Sequence, residues 1–222
     1  MTLFRRLKEA NRDAWGAYTD HGFVRGLQSG DLPRAAFEHY LKQDYLFLIH
    51  FARAYSLAAY KSDNLDDMRA ATATVSALID TEMSLHVQYC AEWGITEAQM
   101  QAVEEAPENM AYTRYVLEKG LSGDILDLYV ALAPCVMGYG EIGKRLMSSP
   151  ATKKEGNPYS PWIEMYASDD YQDVMTASIE QIDKLAVSRF TEARFESLSK
   201  TFREASRLEA GFWQMGLDIL DQ

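Results

Sequence analysis

The stretch PRAAFEHYLKQDYLFLIHF, residues 33–51, decides the fold class. Phe37, Tyr40, Leu41, Phe47, Leu48 and Phe51 fall on an i, i+3, i+4, i+7 stripe, the period of a helix with one buried face. Asp44 sits in the middle of that stripe, where an apolar residue is expected. Asp31 reads as the N-cap of this helix, with Pro33 tolerated in its first turn.

The same period runs outward in both directions. Upstream it predicts a helix from Leu3 to Tyr18 and a short one around Phe23 to Leu27. Downstream a polar break at Lys61-Ser62-Asp63-Asn64 leads into a long helix through Val75, Leu78, Met83, His86 and Tyr89, ending near Gly94. Thr96 and Gln99 have the spacing of a capping box. Further helices are expected at about 107–119, 124–147, 161–167, 171–186 and 191–219, with one long loop from Ser148 to Pro158. No strand-like alternation is sustained and no repeat is evident. Short connections between long helices predict an all-α, single-domain antiparallel bundle spanning residues 1–222.

Composition narrows the functions. Hydrophobic residues make up 47% and charged residues 25%, a globular balance, and 6 prolines suit long helices. A net charge of −11 argues against direct nucleic-acid binding, which needs clustered cations to release counterions. The most apolar segment, Leu128 to Tyr139, is too short to span a bilayer and is interrupted by Pro134, so no membrane role is expected. The opening residues Met1 to Lys8 read as an amphipathic helix rather than a signal peptide. With two cysteines in the chain, a reduced cytoplasmic setting is the expectation.

Three residues stand out chemically. A buried carboxylate at Asp44 costs several kcal/mol unless compensated, so it is either a structural acid with a partner or an anchor for amino-group donors. Cys135 lies in Pro134-Cys135-Val136-Met137-Gly138-Tyr139. It reads as a small core residue or, because Pro134 disrupts the helix and Tyr139 shares the thiol's face, as a nucleophile opening onto a cavity. Glu209 precedes Gly211-Phe212-Trp213. It is either an exposed acid or one drawn inside, with Gly211 permitting close packing and burial raising its pKa. Cys90 reads as inert packing, and His50 and His86 as core hydrogen-bonders. No Glu-x-x-His pair suggests a di-iron site, so no metal or cofactor is expected. Two other readings stay open: a metal-dependent oxidase or oxygenase using Asp44, His50, Glu82 and His86, and a regulatory protein without catalysis.

Taken in order, Gln43-Asp44-x-x-Phe47-Leu48, Ala111-Tyr112-Thr113-x-Tyr115, Pro134-Cys135-x-x-Gly138-Tyr139, Trp162-Ile163-x-x-Tyr166 and Glu209-x-x-Phe212-Trp213 resemble the TenA (thiaminase II) family across nearly the whole chain. The resemblance implies a haem-oxygenase-like helical bundle without haem, assembled as a homotetramer. It also implies an aminopyrimidine aminohydrolase that converts 4-amino-5-aminomethyl-2-methylpyrimidine to the hydroxymethylpyrimidine and ammonia in thiamin salvage, with cleavage of thiamin as a related activity. By the same resemblance Cys135 is the nucleophile and Glu209 the acid/base residue. Asp44 binds the pyrimidine amino group and Tyr112 a ring nitrogen, Tyr139 and Tyr166 support the site, and Phe212 packs on the ring. Phe47 departs from the Tyr that many members carry. It keeps a stacking face and loses a hydroxyl.

Overall fold

The computed structural model describes residues 1–221. Twelve α-helices form among them: α1 Leu3–Ala10, α2 Arg12–Thr19, α3 Gly22–Ser29, α4 Arg34–Lys61, α5 Leu65–Ser76, α6 Met83–Glu92, α7 Glu97–Ala102, α8 Pro107–Ser122, α9 Ile125–Ser148, α10 Ser160–Ala167, α11 Asp169–Arg189 and α12 Phe195–Asp218. A π-helical segment, Ala77–Glu82, joins α5 to α6, and no strand occurs among the described residues. The all-α expectation holds.

α9 is the axis of the bundle. It packs against α8, α10, α11 and α12, and α4 closes the other side against α5, α8 and α12. Seventeen of the 24 residues of α9 are buried. By length and composition the whole of α9 is long and apolar enough to cross a membrane, but 83% of its apolar window is buried inside the bundle, as in a core helix. Its start is fixed by a capping box between Asp124 and Asp127. Arg194 reaches both acids at 2.8 Å, tying the beginning of α9 to that of α12.

Several boundaries differ from the sequence reading. The first helix breaks at Asn11, whose side-chain amide donates to Leu7 O at 2.8 Å and Ser199 Oγ at 2.9 Å. The bend lets Phe4 and Trp15, on either side of it, pack on one another and on Phe202. Asp31 does not cap α4; the position before the helix is Pro33, with no side-chain cap. The Thr96–Gln99 capping box forms as expected. The loop after α9 is pinned by Asn157, which donates to Leu27 O at 2.9 Å.

Two glycines mark opposite situations. A Cβ at Gly138 would lie 2.1 Å from the ring of Tyr18, a buried side chain whose hydroxyl donates to the Pro134 carbonyl at 3.2 Å. At Gly211, in α12, a Cβ would meet nothing within 4 Å, so this glycine is not there for close packing. Gly138→Ala is therefore expected to destabilise the protein by about 1–3 kcal/mol through overpacking. Gly211→Ala is expected to stabilise it by roughly 0.5–1 kcal/mol through helix propensity. Denaturant unfolding of the two variants checks both signs.

Candidate active site

A cavity of about 380 Å³ opens between α4, α5 with the π segment, α9, α10 and α11. α9 delivers the thiol to it. Pro134 has no N–H to donate to the preceding turn, and the next residue, Cys135, lies half-buried on the cavity wall. α4 brings Asp44 and Phe47 to the same cavity, and α9 and α10 add Tyr139 and Tyr166.

Glu209 of α12 lies behind this wall. It is 2% exposed, takes a hydrogen bond from the Tyr112 hydroxyl at 2.7 Å, and is within hydrogen-bonding reach of the Cys135 thiol. Burial pushes its pKa up to about 8, against the opposing effect of the Tyr112 hydrogen bond. Burial likewise raises the thiol of Cys135, and the carboxylates of Glu209 and Asp44 push it further. At neutral pH the resting pair is thus predominantly a thiol beside a carboxylic acid.

Asp44 is 9% exposed, with its pKa raised to about 6 by burial and by the charge of Glu82, and held down by His86. His86 donates from Nε2 to the Leu41 carbonyl at 2.9 Å and turns Nδ1 toward Asp44 Oδ2 at 3.4 Å. Cys90 Sγ also lies 3.4 Å from His86 Nε2, so Cys90, His86 and Asp44 superficially resemble a nucleophilic triad. Cys90 is nevertheless fully buried, off the cavity, and pushed up to about 12 by desolvation. It is packing.

Tyr112 and Phe212, 1% and 2% exposed, lie against Phe47. The Tyr112 hydroxyl donates to Glu209 at 2.7 Å and its ring stacks on Phe47 with centroids 5.4 Å apart. Phe212 stands edge-on to Phe47 at 5.8 Å. His50 turns away from Asp44 to Arg114 Nη1 at 2.8 Å, which breaks up the four-residue metal set considered above.

The sequence reading missed Tyr171, Tyr55, Thr74 and the π segment as wall elements. Tyr171 continues the row of Tyr139 and Tyr166, successive ring centroids being 4.8 Å apart. A signal for it existed in the pairing of Gly140 with Gly143 on an otherwise bulky helix. A Cβ at Gly143 would lie 2.5 Å from the Tyr166 backbone, and one at Gly140 would lie 2.8 Å from Met175 Sδ, with the Tyr171 ring next at 3.4 Å.

The buried acids make stability depend on pH. Between pH 4.5, the ordinary value for Glu, and about 8, folded Glu209 keeps a proton that the unfolded chain has released. Raising pH through that window therefore favours unfolding. Glu209→Gln is expected to flatten the decline in unfolding free energy from pH 5 to pH 8 by on the order of a few kcal/mol, measured by urea titration at several pH values.

Known proteins are similar to the chain over nearly its whole length. An uncharacterized protein of Haemophilus influenzae is 36% identical over 217 residues, 98% of this chain and 100% of that protein. An aminopyrimidine aminohydrolase of Halalkalibacterium halodurans is 35% identical over 217 residues, 97% of this chain and 95% of that enzyme. Among solved structures, a TenA family transcription regulator from Silicibacter sp. TM1040 superimposes with a TM-score of 0.91 at 49% identity, covering 97% of this chain and 96% of the other. The architecture is also that of a domain with a heme oxygenase-like fold from Shewanella denitrificans, at a TM-score of 0.75 and 12% identity over 100% of this chain and 94% of that one. The TENA/THI-4/PQQC family model matches residues 9–219, and the chain belongs to that family.

Proposed function

We propose that this protein is an aminopyrimidine aminohydrolase of the thiaminase II type. It hydrolyses 4-amino-5-aminomethyl-2-methylpyrimidine to the hydroxymethylpyrimidine and ammonia in thiamin salvage, and cleaves thiamin as a related activity. The observation that carries the reading is the Cys135 thiol on a cavity wall with the acid of Glu209 behind it and Asp44 on the same cavity.

In this mechanism Asp44 accepts hydrogen bonds from the pyrimidine 4-amino group, and the rings of Phe47 and the tyrosine row hold the heterocycle. Glu209 passes its proton to a ring nitrogen as it takes the proton of the Cys135 thiol. The sulfur bonds to a ring carbon, and the electron pair pushed outward breaks the bond from the exocyclic methylene to nitrogen. The amine, protonated in the bound substrate, leaves as ammonia. Water adds at the exposed methylene and gives its spare proton to that ammonia, the carbon–sulfur bond breaks, and the ring nitrogen returns its proton through Glu209 to the sulfur. One difficult displacement becomes two easier additions and eliminations. Tyr112 keeps Glu209 in place through both steps.

A homotetramer and a cytoplasmic setting with reduced thiols belong to the same proposal. Exposed Leu65, Met68, Ile79 and Leu85 on α5, the π segment and α6 support the first, and two free cysteines suit the second. The regulatory reading gains nothing from the site, and the net charge of −11 opposes contact with DNA.

Cys135→Ser is expected to reduce ammonia release from the aminomethylpyrimidine by at least about a thousand-fold while leaving pyrimidine binding largely intact. Near-normal release would end the nucleophile assignment. Asp44→Ala is expected to weaken aminopyrimidine binding, measured by calorimetry, far more than it lowers the melting temperature. Unchanged affinity would return Asp44 to a structural role.

A further inference from the structure

The cavity is electrically one-sided. Its sixteen lining residues include two acids, Asp44 and Glu82, and no lysine, arginine or histidine. Asp44 is nine-tenths buried and faces His86 with one oxygen. Glu82 stands at the exposed mouth, at the end of the π-helical segment, and its carboxylate has no hydrogen-bond or ion-pair partner among the described residues. π-turns inside helices concentrate at functional sites, and this one turns Ala77, Leu78 and Glu82 to the cavity together with Thr74 of α5. The two carboxylates are close enough for the charge of Glu82 to raise Asp44.

A volume of about 380 Å³ falls in the range that holds drug-sized ligands, so room remains beyond a single substituted pyrimidine ring. If Asp44 reads the ring, that room lies toward the mouth, where Glu82 is the one charged group on the wall. Two carboxylates on the wall, with His86 behind them as the one basic side chain acting on both, favour a cationic ligand.

Building on the aminohydrolase reading, we propose that Glu82 is the specificity-determining acid for the leaving group, favouring pyrimidines whose methylene carries a positively charged nitrogen and letting the neutral alcohol go. The aminomethyl amine is protonated near neutral pH, as primary alkylamines are, and a quaternary nitrogen in the same place meets the same acid. When the carbon–nitrogen bond breaks and water supplies the hydroxyl, the charge departs as ammonium. The hydroxymethyl product that remains no longer attracts Glu82, so the electrostatics that recruit substrate do not retain product.

The test is calorimetric titration of the Cys135→Ser protein, alone and with Glu82→Gln or Glu82→Lys, using two probes: the aminomethylpyrimidine and its neutral hydroxymethyl counterpart. Glu82→Gln is expected to weaken the cationic probe about five-fold, the upper end for a part-exposed ion pair, and Glu82→Lys to weaken it further. The neutral probe's affinity is expected to stay the same in all three proteins. Equal weakening of both probes, or an unchanged affinity for the cation, overturns the proposal. Failure of the aminohydrolase reading is read separately, as no ammonia from the unsubstituted protein. The difference between cation and alcohol in binding would still report on Glu82.

Discussion

The site depends on holding one carboxyl group, Glu209, in the interior of a helical bundle without a compensating cation. Tyr112 donates to it and the Cys135 thiol lies in reach, yet neither brings positive charge. Desolvation therefore dominates, and the acid keeps its proton to about pH 8. A carboxylic acid that is neutral near physiological pH can give a proton as well as take one, which is what a substrate ring nitrogen and a thiol together require. Most reactive cysteines are activated by a neighbouring cation. In the mechanism proposed for Cys135, the acid beside the thiol supplies a relay instead.

The rest of the architecture serves that burial. α9 must pass close to α2, α10 and α11, and glycines at 138, 140 and 143 permit it. Gly138 admits the Tyr18 ring, whose hydroxyl in turn meets the Pro134 carbonyl next to the thiol. Aromatic packing continues outward from this point, through Trp213 against Phe23 at 4.9 Å and Tyr139 at 5.1 Å. The α9 wall of the cavity is thus backed by packed aromatic rings of α12. On the α5 and π-helical side many residues are exposed, and it is there that the unpartnered acid Glu82 stands.

Periodicity along the chain was enough to specify helices, because a buried face imposes a 3.6-residue repeat that any reader of residues 33–51 can count. It also exposed Asp44 as an intruder in an apolar stripe and Cys135 as a thiol beside a helix-interrupting proline. Propensity did not reveal the break at Asn11 or the π turn at 77–82, since both are set by partners distant in sequence or by backbone hydrogen bonding within a continuous helix. The same limit applies to Asp31, whose capping chemistry was available but went unused.

What the sequence by itself determined was the fold class, the family pattern and the inventory of reactive groups, because these depend on residue type and local spacing. Only the tertiary structure decided which side of each residue meets which neighbour. It joined the Tyr112 hydroxyl to Glu209, set Phe212 edge-on to Phe47, and paired His50 with Arg114. It also assembled Tyr171 and Glu82 into a wall with Cys135, from helices far apart in the chain. Such placements follow from close packing between helices, where a glycine at one position admits a ring from another, and no local rule along one helix contains that information.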